Sequence, residues 1–312
     1  MITVAIPTYN RGAILVETIE RLLALTPRAD AILVADQTRQ HPSYVEQRLR
    51  TWHEEGTIRW LCLEEPSIPK AMNDALVAAT TELVLFFDDD IVPDGNIVGA
   101  HLSAHRDDTI WAVAGQVLQP GEEVWSAEAT PPLFNSRDRK AEALPPHSTL
   151  DFKFNSAHGT FITNVMAGNL SVRRDRALAI GGFDENFVGA AYRFETDFAM
   201  RVDDAGGKIW FEPNASLRHL QLSTGGLRSY GDHRSAPIPA HSAGDYYFAL
   251  QHVPGFWRYA ARRIVKNVAT RYLFTHPWLI PAKLVGETRG LLLARALHRK
   301  GRSLRVVSPG KP

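Results

Sequence analysis

Among 312 residues there is a single cysteine, Cys62, so no internal disulfide can staple the fold, and the chain suits a reducing compartment. No uncharged apolar run approaches the roughly 18–20 residues that a bilayer-spanning helix requires. Met1 leads straight into the strand-like Ile2-Thr3-Val4-Ala5-Ile6, a start without the features of a secretory leader. No Gly-x-Gly-x-x-Gly follows that strand and no Gly-Lys-Ser/Thr loop occurs, so neither a dinucleotide fingerprint nor a P-loop is supported. Internal repeats and recognised nucleic-acid modules are also missing. Acidic residues are nearly absent from positions 255–312, where 13 lysines and arginines face Glu287 alone. The formal net charge is nonetheless only +1, so the preceding residues carry an acidic excess. The two parts must face different partners, or each other.

What is present is a full complement of core-forming residues, 45% of the chain, enough for one large or two small domains. Strand and helix signals alternate through the first half. Ile2–Ile6, Ala31–Ala35 and Ile58–Leu63 read as strands, separated by helical spacing at Ile14–Leu23 and Tyr44–Trp52. Lys70–Thr80 is Ala-rich and helical. The run Leu83-Val84-Leu85-Phe86-Phe87 then suits a strand buried on both faces. This βαβαβαβ order implies a parallel sheet with right-handed crossovers. Ligands of such sheets bind at the carboxyl ends of the strands. There the polar segments Pro7–Arg11, Asp36–Thr38 and Asp88–Asp90 gather. Three adjacent carboxylates repel one another unless a cation is near, and hard oxygen ligands suit Mg²⁺ or Mn²⁺. A solvated acidic turn is the plain alternative.

Prolines scattered through 119–146 predict long loops. Order returns at Phe161–Ala167. A helix is expected over about Glu195–Ala205, stopped by Gly206-Gly207, with short strands at Lys208–Glu212 and Ala215–His219. Residues 223–245, rich in Gly, Ser, Pro and His, read as a loop and candidate lid, with His233 and His241 expected on the surface.

Four blocks, in order and spacing, resemble family 2 glycosyltransferases of the GT-A fold. They are Val4–Arg11, Lys70–Ala75, Asp88–Asp90, and the run from Ala167 to His219 that contains Gly168-Asn169, Gly181–Glu185 and Glu195-Thr196-Asp197. The resemblance implies an α/β, Rossmann-like, mostly parallel sheet with helices on both faces. It further implies a nucleotide-diphospho-sugar donor, a divalent metal (Mn²⁺ or Mg²⁺) and inversion at the anomeric carbon. Carried over residue by residue, Pro7, Thr8, Tyr9 and Arg11 match the nucleotide loop, and Asp36 the acid that receives the donor base. Lys70 and Asn73 match phosphate or ribose contacts, and Asp88, Asp89, Gly168 and Asn169 complete the donor site. Asp88, Asp90 and His219 match the metal shell. Glu195 occupies the position of the catalytic base, although Phe194 replaces the acid that usually precedes it. Asp197 is the alternative base, or a structural partner of Arg201 four residues on. Asp36 could instead serve a turn, Lys70 a solvated first helical turn, and His219 a structural hydrogen bond.

On this reading residues 1–95 form the nucleotide-sugar half and 96–222 the acceptor and catalytic half. Residues 223–254 form the lid, and 255–312 a basic helical extension. The chemistry agrees, because displacement of a nucleoside diphosphate needs charge neutralisation on the phosphates and a base for the acceptor hydroxyl. Nucleotidyl transfer and a non-catalytic carbohydrate-binding or scaffold role remain as alternatives. In the extension, Trp257, Ala260, Ala261, Ile264, Val265, Val268 and Tyr272 share one helical face and Arg258, Arg262, Arg263 and Lys266 the other. That pattern fits an anchor on an anionic membrane surface, with a glycan or lipid-linked envelope precursor as acceptor at the cytoplasmic face. The anchor would be separable, since every proposed catalytic residue precedes Leu220. The competing expectation is a helix packed on the catalytic domain.

Overall fold

The computed structural model describes residues 1–125, 152–222, 224–232 and 234–305. The expected loop beyond residue 125 and His233 lie outside them. Four parallel strands open the fold: β1 (Ile2–Thr8), β2 (Ala31–Asp36), β3 (Arg59–Cys62) and β4 (Leu83–Phe87), in spatial order β3-β2-β1-β4. All five residues of β4 are buried, as an apolar run covered on both faces requires. Between these strands run α1 (Ala13–Leu23), α2 (Ser43–Glu54) and α3 (Ile68–Ala78). Leu15, Ile19 and Leu22 give α1 its buried stripe. Ser67 caps α3 by accepting from Lys70 N–H, and Pro69 fits the first turn, where a missing N–H costs nothing.

The second half continues the same sheet with changed polarity. After Asp88–Asp90 come the short β5 (Ile91–Pro93), α4 (Ile97–Ala104), β6 (Ile110–Leu118), β7 (Thr160–Ile162) and β8 (Asn169–Arg173). Next follow α5 (Arg174–Ala179), α6 (Phe194–Asp204) and β9 (Lys208–His219). Strand β8 inserts antiparallel between β4 and β6, while β9 runs parallel to β6 and antiparallel to β5 and β7. The two short strands expected at 208–219 are one strand. Its register against β6 jumps from Gly115–Glu212 to Gln116–Ser216, so Pro213, Asn214 and Ala215 bulge out without ending it.

Residues 223–254 are more than a loop. Short 3-10 turns at Gly226–Tyr230 and Pro239–His241 lead into α7 (Ala243–His252), whose first seven residues are all buried. Beyond it lie α8 (Phe256–Val268), α9 (Arg271–Thr275) and α10 (Ile280–Lys300). The helix expected to run unbroken to Tyr272 stops at Val268, and Thr270 caps a new one at Leu273 N–H.

The basic extension packs on the catalytic body. The lone acid, Glu287, is buried and receives hydrogen bonds from Tyr246 Oη of α7 (2.5 Å) and Asn267 of α8 (3.0 Å), with Lys283 Nζ at 2.8 Å. Arg263, assigned by periodicity to an outward basic face, turns inward to Asp245 at 2.7 Å. Ala260 is buried beside it, and Ile264 packs on the core. Residues 255–305 therefore do not form a detachable anchor. The reversal has a simple cause. Asp245, withdrawn from water on α7, needs a cation, and Arg263 supplies one at 2.7 Å.

Candidate active site

The site forms where β1 and β4 end side by side and β5 pairs with the end of β9. That last pairing sets Ile91 opposite His219, which brings His219 to Asp90. Its Nε2 lies 3.0 Å from Asp90 Oδ1 and 3.8 Å from Asp88 Oδ2. One ligating atom each from Asp88, Asp90 and His219 falls within 4.8 Å of the others. Two carboxylates and an imidazole are a donor set that a divalent ion accepts. Gly168 makes room for the cluster, because a Cβ there would meet Asp88 Oδ2 at 2.3 Å. These residues fit the ion that the sequence implies.

Asp89 faces a different set of partners. It accepts from Thr8 Oγ1 at 2.7 Å and pairs with Arg11 Nε at 2.9 Å. Burial, only partly offset by Arg11 and Thr8, pushes its carboxyl up to about 7. At Asp90 burial is outweighed, and His219, Arg11 and the Leu222 N–H hold the carboxyl below its usual range. His219 is shifted upward: burial opposes its charged form, but the bond to Asp90 and the charges of Asp88 and Asp90 prevail. Gln119 Oε1 accepts from its other nitrogen, Nδ1, at 2.9 Å and fixes the ring.

Above the acids lies a cavity of about 430 Å³. Pro7, Thr8, Tyr9, Arg11, Asp88, Asp89, Asp90 and His219 line it, as the sequence predicts. So do Gln37, Ser67, Ile68, Gln221, Tyr230 and His241, which sequence reasoning did not assign to it. His241, expected on the surface, reaches the Tyr230 and Gly231 carbonyls at 3.2 and 3.1 Å. The 224–231 segment folds over the cavity through the bond from Gly226 N–H to Tyr9 O (2.8 Å) and from Arg11 Nη1 to Thr224 O (2.6 Å).

Several predicted contacts turn inward. Asp36 is 1% exposed, and its carboxylate is taken up by His41 (2.6 Å), Trp60 Nε1 (2.9 Å) and Thr38 N–H (2.9 Å). Gln37 lines the cavity in its place. Asn73 is fully buried and ties α3 to Phe183 and Glu185. Asn169 is also buried, bonded to His101, Gln116 O and Ala215 O. Lys70 lies outside the cavity lining and reaches Glu65 at 3.3 Å. Each inward turn has one cause: a buried amide or carboxylate must satisfy its polar atoms with whatever the fold supplies.

Glu195 sits in the first turn of α6, half-buried, with Oε1 accepting from Ala167 N–H at 2.7 Å. Ala167 itself lines the cavity. Burial, opposed by that bond and reinforced by the charge of Asp88, pushes the Glu195 carboxyl up to about 7. Asp197, two residues on, is the opposite case. It is fully buried and held by Arg201 (2.8 Å), His252 (2.8 Å) and Arg302 (2.6 Å), which outweigh burial and drive its carboxyl far down. The geometry commits Asp197 to three cationic or imidazole partners, while Glu195 is bonded to the Ala167 N–H beside the cavity.

Solved glycosyltransferases share this architecture. A mannosyltransferase from Pyrobaculum calidifontis, PcManGT, solved with GDP-Man and Mn²⁺, superposes with TM-score 0.53 at 20% identity, covering 96% of this chain and 79% of its own. Glucosyl-3-phosphoglycerate synthase from Mycobacterium tuberculosis, solved with phosphoglyceric acid, gives 0.52 at 17%, covering 81% of each chain. GalNAc-T7, with UDP, GalNAc and Mn²⁺, gives 0.53 at 13%, covering 70% and 43%. The fold is thus of the GT-A glycosyltransferase class. The model of the family "Glycosyl transferase family 2" matches residues 3–168, more than half of the chain, and the chain belongs to that family. It is also 29% identical over 152 residues to the pre-mycofactocin glycosyltransferase of two Mycobacterium tuberculosis strains. That alignment covers 48% of this chain and 29% of the relatives' length.

Proposed function

We propose that the protein is a metal-dependent, inverting glycosyltransferase that moves a sugar from a nucleoside-diphosphate donor to an acceptor hydroxyl. The observation that carries this reading is the convergence of the Asp88–Asp90–His219 cluster, with Asp88 against Gly168, and of Glu195, bonded to the neighbouring Ala167 N–H. The donor would lie along the strand ends, its nucleoside against Pro7–Tyr9 and Gln37, with Tyr230 and His241 closing over it. Asp88, Asp90 and His219 would hold Mn²⁺ or Mg²⁺, whose charge neutralises the departing diphosphate. Glu195 would take the acceptor's proton on Oε2, because Oε1 is committed to Ala167 N–H. A single displacement from the face opposite the leaving group inverts the anomeric centre. PcManGT with GDP-Man and Mn²⁺, and GalNAc-T7 with UDP and Mn²⁺, support a nucleotide-linked donor and that ion.

The reading also includes work at an anionic membrane surface on a glycan or lipid-linked acceptor. No helix among the described residues is long and apolar enough to cross a bilayer. A surface contact has different support. The Asn267–Glu287 bond and the stacking of Arg295 over Trp257 register α8 and α10 antiparallel. Phe274 and Trp278, each 69% exposed, therefore stand at the end of this hairpin. Arg258, Arg262, Lys266 and Arg271 are exposed on the same hairpin and pair with no carboxylate among the described residues. Exposed aromatics flanked by cations suit a lipid interface.

The test of the transfer reading is nucleotide-sugar hydrolysis across a panel of UDP- and GDP-sugars, with Mn²⁺ and with chelator. Manganese-dependent release of the nucleoside diphosphate from one donor is expected. Release that is indifferent to chelator would remove the metal from the scheme.

A further inference from the structure

The base helix α6 is held by a segment more than one hundred residues downstream. Residues 301–305 lie along the 181–186 loop as a strap. Glu185 N–H donates to Ser303 O (3.0 Å), Arg305 N–H to Gly181 O (2.9 Å), Ser303 N–H to Asp184 Oδ1 (3.0 Å) and Asn186 Nδ2 to Gly301 O (2.7 Å). Its two arginines reach different elements. Arg305 pairs with Asp74 (2.6 Å) and Glu185 (2.5 Å). Arg302 instead enters the interior and meets Asp197 Oδ1 at 2.6 Å, with Asp184 Oδ2 at 3.7 Å.

Asp197 thereby joins three separate parts of the chain: Arg201 on its own helix, His252 at the end of α7, and Arg302 of the strap. A buried carboxylate with these partners is fixed in place, since each supplies a bond that water cannot replace in a dry interior. Glu195 lies half a helical turn before Asp197, and its carboxylate accepts from Ala167 N–H. No side chain caps the N-terminus of α6; Arg193 there adopts a left-handed backbone with φ 74°. The network at Asp197 is thus an anchor of the first turn of the helix, which carries Glu195.

We propose that Arg302 is a positioning residue for Glu195, acting through Asp197. The proposal rests on Glu195 being the base. Arg302 touches neither the cavity nor the acid cluster, so its loss should act on turnover and not on donor binding.

The experiment compares Arg302→Ala, Arg305→Ala, Glu195→Gln and the double variant Arg302→Ala/Glu195→Gln, using donor hydrolysis with Mn²⁺ well below each variant's melting temperature. Arg302→Ala should lower kcat about 10-fold with donor KM nearly unchanged, the signature of an interaction used only in the transition state. Arg305→Ala, on the same strap but away from α6, should keep kcat. In the Glu195→Gln background Arg302→Ala should add almost nothing, because residues acting through one group are non-additive. A readout independent of turnover is hydrogen exchange at the Ala167 amide, which should quicken in Arg302→Ala and not in Arg305→Ala. An unchanged kcat in Arg302→Ala, an equal loss in Arg305→Ala, or the same fold-loss without Glu195 would each overturn the proposal. Wild-type turnover by Glu195→Gln alone would instead overturn the assignment of the base.

Discussion

The acid-bearing sheet edge and the basic helical extension solve the same electrostatic problem in different ways. At the edge, Asp88, Asp90 and His219 are brought together by adjacent positions and one strand pairing; Arg11 and His219 offset part of the repulsion among the aspartates, and the remainder is what a cation would relieve. In the extension, cations are matched from within: Arg263 by Asp245, Lys283 by Glu287, Arg302 by Asp197 and Arg305 by Glu185 and Asp74. An incompletely compensated cluster marks a place where a ligand is expected. A compensated one marks structure, however charged its sequence looks.

Removing charge at the edge should have the largest effect. Asp90→Ala is expected to abolish Mn²⁺-dependent transfer while the fold survives, read as donor hydrolysis and as loss of metal-dependent nucleoside-diphosphate binding. Normal donor binding by this variant would mean that the edge is no more a metal site than the extension is.

Next in size is Glu195→Gln, which keeps the shape but cannot take a proton. Turnover should fall about 10²-fold or more with donor affinity nearly kept. The wild-type metal-free protein adds a pH test. Because the Glu195 carboxyl is raised to about 7 in the fold, above its ordinary 4.5, its contribution to stability is full below the ordinary value and is lost as pH rises through about 7. Glu195→Gln should flatten that part of a melting-temperature profile. An unaltered profile would show that the base is not the group in that environment.

Truncation after Pro254 tests the extension as structure. It leaves Tyr246 without its partner Glu287, strips Arg263 from Asp245 and removes both strap arginines. Breaking one buried pair costs about 3–5 kcal/mol, so soluble, folded protein should be lost or its melting temperature greatly lowered. A melting temperature equal to wild type would restore the detachable anchor that periodicity predicts.

The smallest effect concerns the exposed face of the same extension. Phe274→Ser with Trp278→Ser should reduce flotation with anionic vesicles and leave stability within about 0.5 kcal/mol, as surface changes usually do. Added salt should weaken the wild-type contact by screening. Equal flotation of both proteins, or none by either, would leave the hairpin tip without a membrane role.

The parts of this molecule legible in its sequence are the local ones. Asp88–Asp90 after an all-buried strand, Glu195 opening a helix and His219 closing a strand were each readable because neighbouring residues declare the element and its end. The parallel β1–β4 block followed from alternating periodicities for the same reason. The functions expected of Asp36, Asn73 and Asn169 were not legible in this way, since whether a buried polar side chain faces a ligand depends on distant groups such as Trp60, Phe183 and His101. Tyr230 and His241 offered no signal beyond a Gly- and Pro-rich stretch, which is brought over the cavity by the bonds from Gly226 to Tyr9 and from Arg11 to Thr224. Arg263 misled because helical periodicity reports two faces but not which one meets a buried acid.

The strap also has a consequence in time. Arg302 meets Asp197 across 105 positions, and Arg305 meets Asp74 across 231. Contacts so far apart in the chain close late, because the entropy of ordering everything between them is lost before they form. The parallel strands β1–β4 can assemble from residues nearer one another, whereas His219 must reach Asp90 across 129 positions and Arg302 must reach Asp197 across 105. During refolding the β1–β4 block should therefore appear before either the acid–histidine cluster or the support of α6 is complete.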